Sequence, residues 1–247
     1  MLDISRKQND VRYSDGSIVE DYMREYYHTL RTNCAINMIN SYVDSCFRYF
    51  DPPTIRVLEI AGATGHVSSQ LAQLGYSVLL TDCSELPLAL AKKRNAKLIT
   101  LEMDASLPFP FEDNSFHVIY AGDIIEHLYD TSLFLGEIHR CLVPGGIVVL
   151  TTPNLASLED RVGFLFGKSP RQINPTHEFL SLHIRPFTYS KLKEIMESVG
   201  FSAFSLATNL IRLKLGSYKF DSVALAKVFP SLGRSLIIGA IARKHDK

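Results

Sequence analysis

Residues Val57 to Ser68, VLEIAGATGHVS, constrain the fold of this chain more than any other stretch. Val57, Leu58 and Ile60 form a short apolar run that Glu59 interrupts. Such a run, closed by a small-residue turn, reads as a buried strand. Ala61-Gly62-Ala63-Thr64-Gly65 follow, and Val67, Leu71 and Leu74 then recur at the spacing of one helical face. Small residues at a strand-to-helix turn let the backbone approach a ligand closely. The unpaired N–H groups of the helix start then hold an anionic or polar group. A cofactor site is the natural hypothesis.

The same alternation repeats downstream. Strands are expected at Arg56–Ile60, Ser77–Thr81, Leu98–Leu101, Phe116–Ala121, Ile147–Thr152, Phe201–Ala207 and Ser235–Ala242. Ser84 is expected to cap the helix after the second strand, with Pro87 in its first turn. Leu135, Ile138 and Leu142 mark a helix that stops at Pro144-Gly145-Gly146. Ser190 is expected to cap a helix with Leu192, Ile195, Met196 and Val199 on one face, and Gly200 to end it. This βα rhythm predicts an α/β fold with a doubly wound, mostly parallel seven-stranded sheet. The last two strands are joined without a helical crossover, so the final strand is expected to be antiparallel.

Two domains are expected: an N-terminal helical arm or lid at 1–53, and an α/β domain at 54–247 with substrate-side insertions at 155–187 and 208–234. Residues 1–17 are polar and read as a mobile arm. Helix is expected from Ile18 to Phe50, with Ile36, Ile39, Val43, Phe47 and Phe50 on its apolar face and Tyr22, Tyr26 and Tyr27 at its start. Those tyrosines read either as a ligand lid or as half-buried packing aromatics.

Composition removes several function classes. With 247 residues and 46% hydrophobic content the chain can bury a sizeable core. The formal net charge is zero and no long basic run occurs, which argues against a large nucleic-acid footprint. Cys34, Cys46, Cys83 and Cys141 are scattered without metal-site spacing and read as reduced thiols. The N-terminus lacks an apolar signal core, and the apolar run Leu236 to Ala242 is too short for a membrane span. A cytoplasmic location is the expectation.

The strand ends form an ordered set. After the small-residue turn come Asp82 at the end of the second strand, Asp104-Ala105 after the third, and Gly122-Asp123 after the fourth. An acid at the end of strand two, roughly 20 residues beyond the turn, is placed to accept both ribose hydroxyls of an adenosine. A dinucleotide reading wants G-x-G-x-x-G, and only Gly62 and Gly65 are present. No GK[ST] occurs where a Walker loop would need it.

At VLEIAGATGH, TDCSE, MDASLPFPFEDNSFHVIYAGDIIEHLYD and EIHRCLVPGGIVVLTTPN the chain resembles class I S-adenosylmethionine-dependent methyltransferases, over about Val57 to Gly200. The resemblance implies a Rossmann-like methyltransferase fold, S-adenosylmethionine as cofactor, and roles for matching positions. Glu59 would organise the first loop, and Ala61, Gly62, Ala63 and Gly65 would face the methionine part. Asp82 would bind the ribose, Cys83 would lie beside the adenine, Asp104 would reach its amino group with Ala105 next to it, and Gly122 would lie near the sulfonium. Ala61 and Ala63 depart from the family's usual glycines, and His117 from its usual aspartate.

On the acceptor side His127 follows strand four and titrates in the right range for a base. Tyr26, His183 and Arg185 are the expected substrate contacts, with His177-Glu178 nearby. Asp123, Glu126, His127 and His183 are similar to a metal-binding arrangement in a few family branches, but the site is expected to hold no metal. The acceptor is expected to be a small molecule (a secondary metabolite, quinone precursor or saccharide) methylated on oxygen or nitrogen. Alternatives are a small RNA or peptide acceptor, or a non-catalytic binding protein of the same fold. The oligomeric state is not legible.

Overall fold

The computed structural model describes residues 26–174, 176, 180–215 and 217–244. The expected arm at 1–17, Tyr22 and His177-Glu178 lie outside them. Helix α1 (Tyr26–Cys46) precedes β1 (Arg56–Ile60), α2 (His66–Gln73), β2 (Ser77–Asp82), α3 (Glu85–Arg94), β3 (Ile99–Glu102) and β4 (Phe116–Gly122). Then come α4 (Thr131–Cys141), β5 (Leu142–Pro153), α5 (Leu158–Leu165), α6 (Tyr189–Val199) and β6 (Phe201–Ala207). A hairpin of β7 (Ile211–Leu215) and β8 (Tyr218–Ser222), helix α7 (Val223–Val228) and β9 (Ser235–Ala242) complete the described chain. Among the described residues no helix is long and apolar enough to cross a membrane.

The sheet has seven strands in the order β3-β2-β1-β4-β5-β9-β6. Its neighbours from β3 to β5 pair in parallel, and β9 runs antiparallel to both β5 and β6, as expected. The order reverses between β1 and β4, and ligands in such sheets bind outside the carboxyl ends at that switch point.

Alternation along the strands builds two cores. Val57, Val118, Tyr120, Val149 and Ile237 pack against α1 and α2 through Ala35, Ile36, Ile39, Val67 and Leu71. Leu58, Ile60, Ile119, Val148 and Leu150 point the other way, onto α4 and α6 through Phe134, Leu135, Ile138, Leu192 and Met196. Sequence near-continuous in Val, Ile and Leu is what burial on both faces requires.

Several boundaries differ from the sequence expectation. Leu142 is not the last turn of α4; it enters β5 opposite Phe116, and the Pro144-Gly145-Gly146 break becomes a register shift inside the β4–β5 ladder. A buried hydrophobe satisfies a helix face or a strand equally, so spacing alone placed Leu142 in the helix. The cap of α6 is Thr188, whose hydroxyl accepts the Lys191 N–H at 3.3 Å, rather than Ser190. Gly200 ends that helix in the left-handed region at φ 113°, as expected. Ser84 stands at the N-cap of α3 without a side-chain capping bond. Phe47 is buried beyond the end of α1, whereas Phe50 is half exposed.

The β1–α2 turn is unusual in its backbone. Ala61 (φ 54°), Ala63 (φ 49°) and Gly65 (φ 66°) are all left-handed. At Gly62 a Cβ would fall 2.4 Å from Glu59 Cδ and 2.4 Å from Leu80 Cδ1, so only glycine fits. An L-residue with a Cβ pays about 1–2 kcal/mol in this region. Ala61→Gly and Ala63→Gly each relieve that strain and return part of it as unfolded-chain entropy, so each should raise stability by about 0.5–1 kcal/mol. Gly62→Ala should lower it by about 1–3 kcal/mol. Urea denaturation of the three variants checks both signs, and stabilisation by Gly62→Ala would show the turn to be built differently.

Candidate methyl-transfer site

Two buried acids, Glu59 and Asp82, fix the carboxyl ends of β1 and β2. Glu59 accepts the Ser68 N–H at 2.7 Å and also the Ser68 hydroxyl, which ties β1 to the first turn of α2. Burial outweighs those donors and, with Asp82 nearby, pushes its carboxyl up to about 7. Asp82 accepts the Ala63 N–H at 3.0 Å on one oxygen and the Ser84 N–H at 3.1 Å on the other. Burial raises it to about 6 despite these bonds. The Gly62 N–H donates to Thr81 O at 3.0 Å, so the left-handed turn is stitched to β2 from both sides. The Cys83 N–H and thiol donate to the Asp82 carboxylate as well, so this acid gathers donors from both strand ends.

Asp104, after β3, offers the clearest vacant acceptor. Its Oδ1 takes the Ser106 N–H at 2.9 Å and the Ser106 hydroxyl at 2.8 Å. Its Oδ2 is buried and has no hydrogen-bond partner. Such an orphan is rare in a settled interior and marks a place for a donor from outside the chain. Ala105 beside it is buried, Cys83 is half-buried after Asp82, and Gly122 closes β4 on the same edge of the sheet.

Beyond Gly122 the chain turns through a short 3-10 segment, Ile125–His127. Glu126 is fully buried; its Oε2 accepts the Thr152 hydroxyl at 3.0 Å and its Oε1 has no partner. Burial pushes this carboxyl up to about 7. His127 Nδ1 lies 3.1 Å from Leu182 O and His183 Nδ1 lies 3.0 Å from Gln172 O. The two rings meet edge to face with centroids 4.9 Å apart. A carbonyl opposite Nδ1 selects the tautomer protonated there, which makes Nε2 the basic nitrogen of each ring. Glu126, His127 and His183 each offer a ligand atom within 4.8 Å of the others, a donor set that suits a divalent cation. Asp123 does not join them. It sits at φ 50°, pairs with Arg31 and accepts the Thr151 hydroxyl at 2.9 Å.

Other expected contacts lie elsewhere. Tyr26 is exposed, and its neighbour Tyr27 turns inward instead, onto the Arg234 guanidinium at 4.8 Å and the Ser235 hydroxyl. Arg185 is exposed, donates to Tyr129 O at 3.0 Å and stacks on the Tyr129 ring. His117 lies at the opposite end of β4, accepting the Arg56 N–H at 3.1 Å between Phe47 and Phe50. Sequence reasoning missed Arg31 and Arg234. Arg31 could have been found, because Tyr27, Arg31, Ala35 and Ile39 recur every four residues as one stripe of α1.

The known proteins that this chain is similar to agree with the geometry. A family model described as a methyltransferase domain matches residues 58–150. A ubiquinone/menaquinone biosynthesis C-methyltransferase of a Geobacter species is 32% identical over 225 residues, covering 81% of this chain and 92% of that protein. A probable S-adenosylmethionine-dependent methyltransferase of Mycolicibacterium smegmatis is 31% identical over 59% of this chain, which spans 51% of that protein's length. Thus the chain spans about half the length of some curated relatives it matches. The crystal structure of a possible histamine N-methyltransferase from Thermotoga maritima superposes with a TM-score of 0.61 at 19% identity, covering 92% of this chain and 97% of that one, which speaks to the fold. With the sheet order, the stitched β1–α2 turn and the acids at successive strand ends, these likenesses show that the chain belongs to the class I family of methyltransferases, whose methyl donor is S-adenosylmethionine.

Proposed function

We propose that this chain transfers a methyl group from S-adenosylmethionine to an oxygen or nitrogen of a small-molecule acceptor, with His127 as the base. The observation that carries the reading is the His127–His183 pair, each ring fixed by a carbonyl on Nδ1, just past the carboxyl end of β4. The cofactor supplies an electrophilic methyl on a sulfonium. Glu59 and Asp82 hold the Ala61–Gly65 turn for its methionine part. Asp82 accepts the ribose hydroxyls, Cys83 lies beside the adenine, Asp104 Oδ2 accepts the adenine amino group with the Ala105 backbone adjacent, and Gly122 lies near the sulfonium. Holding nucleophile and methyl in line is the main catalytic task. A base is needed where the acceptor is a hydroxyl or an ammonium, and His127 Nε2 takes that proton. A quinone precursor as acceptor is supported by the quinone-pathway names of two relatives, the Geobacter C-methyltransferase and a ubiquinone biosynthesis O-methyltransferase of Paramagnetospirillum magneticum, of which the second alone supports oxygen as the acceptor atom.

A second reading is favoured by the Glu126 Oε1 orphan beside the two histidines. There the three residues hold a divalent cation that acidifies an acceptor hydroxyl. Full turnover after exhaustive chelation removes this reading.

Calorimetric titration with S-adenosylhomocysteine tests the cofactor assignment. Asp104→Ala should weaken binding about 10-fold, the worth of one buried hydrogen bond, while leaving the fold intact. Ribose hydroxyls favour the ionised form of Asp82, which burial holds at about 6. Below that value binding must expel a proton, so affinity falls as pH drops from about 7 to about 5, and Asp82→Asn flattens the slope. Absence of any binding would overturn the enzyme reading as well.

Replacing the base should lower turnover and not cofactor affinity. His127→Ala is expected to reduce kcat by about 10²–10⁴ with S-adenosylhomocysteine affinity unchanged. Methyl transfer from the labelled donor to a panel of phenols, catechols and amines is the readout. An unchanged kcat on an accepted substrate would sink the role of His127.

A further inference from the structure

Among the described residues, two guanidiniums behind the histidines face one carboxylate, Glu159, while the buried Asp160 is taken up by the Arg171 N–H and the Ser157 hydroxyl. Arg234 is only 9% exposed. Its backbone is fixed at the end of the sheet, with Arg234 O accepting the Asn154 N–H at 2.9 Å and its N–H donating to Leu210 O at 3.0 Å. Its guanidinium lies over the Tyr27 ring, and its Nε lies 3.5 Å from Glu159 Oε2. Arg171 Nε approaches the same carboxylate oxygen at 3.8 Å. Neither approach makes a hydrogen bond: Arg234 Nε, Arg171 Nε, Arg171 Nη2 and Glu159 Oε2 are all buried atoms without a hydrogen-bond partner. The amide Nε2 of Gln172, a residue 2% exposed, is unpartnered too.

The contrast with Arg212 is informative. That neighbour is held by Asp221 through two bonds of 2.6 Å, so its charge is matched. Arg171 and Arg234 instead share one carboxylate, and a buried guanidinium N–H without a hydrogen-bond acceptor is costly. Burial and the neighbouring arginines accordingly hold the Arg234 pKa below the ordinary guanidinium value. Planar guanidinium forks match carboxylate and phosphate oxygens in pairs. The cluster adjoins the proposed acceptor side through one contact, the carbonyl of Gln172 on His183 Nδ1, and through α1, where Tyr27 stands one helical turn from Arg31, the partner of Asp123.

We infer that Arg171, Arg234 and the Gln172 amide form an oxyanion subsite that binds a carboxylate or phosphate carried by the methyl acceptor. The subsite's role toward a methyl acceptor rests on the methyltransferase function proposed above, whereas the anion site itself does not. The acceptor class is therefore an anionic small molecule, anchored at the arginines with its reacting atom toward the histidines.

Titrations of inorganic phosphate and of benzoate into the whole chain, at fixed ionic strength and with or without saturating S-adenosylhomocysteine, test this by calorimetry. At least one anion should bind with a Kd of about 1 mM, and which one binds separates a phosphoryl from a carboxylate ligand. Arg171→Gln, at a side chain one third exposed, should weaken it at least about 10-fold and leave S-adenosylhomocysteine affinity unchanged. Glu159→Gln removes the competing carboxylate and should tighten anion binding several-fold, a gain that a purely structural cluster would not give. No binding of either anion, indifference to Arg171→Gln, or no gain in Glu159→Gln overturns the inference. Anion binding without S-adenosylhomocysteine binding overturns the methyltransferase reading and leaves the oxyanion subsite standing.

Discussion

Two buried carboxylates on adjacent strands hold the cofactor edge of this protein in shape. Glu59 takes two donors from Ser68 in the helix after its own strand, Asp82 takes the Ala63 N–H from the neighbouring strand's turn and the Ser84 N–H after its own, and each is desolvated enough to sit well above an ordinary carboxylate. Their bonds over-determine the backbone between Ala61 and Gly65. Two alanines can stay left-handed there because the turn is fixed by Asp82 on one N–H, Thr81 on another, and the absence of a Cβ at Gly62. Strain and burial are thus concentrated where a ligand would meet the chain, and the apolar strands beneath bear the cost.

Helix α1 connects that edge to the acceptor side. Its lower turns are core, with Ala35 and Ile39 buried against the sheet. Its first turns, continuing the same stripe, place Arg31 on Asp123 and Tyr27 under Arg234. A helix anchored by its hydrophobic stripe can hold polar residues one turn further on at a defined height above the strand ends. The charges on α1 are therefore positioned by the packing of residues that never meet a ligand.

The strand number and polarity of the main sheet and the order of acids at its strand ends were legible because period and burial dictate them, whereas the β7–β8 hairpin in the 208–234 insertion was not. Four parallel strands buried on both faces leave few other arrangements for Val57–Ile60, Val78–Asp82, Phe116–Gly122 and Ile147–Thr152. The errors fall where one residue type serves two ends. Leu142 is apolar enough for helix or strand, and Thr188 and Ser190 are both competent caps. Tyr26 and Tyr27 differ by one position, which on a helix is 100° and decides which of them faces inward. Asp123 and Arg31 are 92 positions apart, and no local pattern predicts that they pair. Tertiary contacts within and between the insertions, such as Arg171 and Arg234 on Glu159, are beyond any reading of spacing.

Overall neutrality conceals a separation of charge. The chain carries 26 basic and 26 acidic residues. Buried acids gather at the ends of β1 and β2, and under-matched guanidiniums gather beyond the histidines. The first arrangement suits hydroxyl donors and a cationic sulfonium; the second suits an oxyanion. Nucleic-acid backbones are tracked by rows of exposed cations. Arg234 is 9% exposed and packed on Tyr27, so it cannot belong to such a row. The placement of the arginines, more than their number, is what supports the proposed small acceptor.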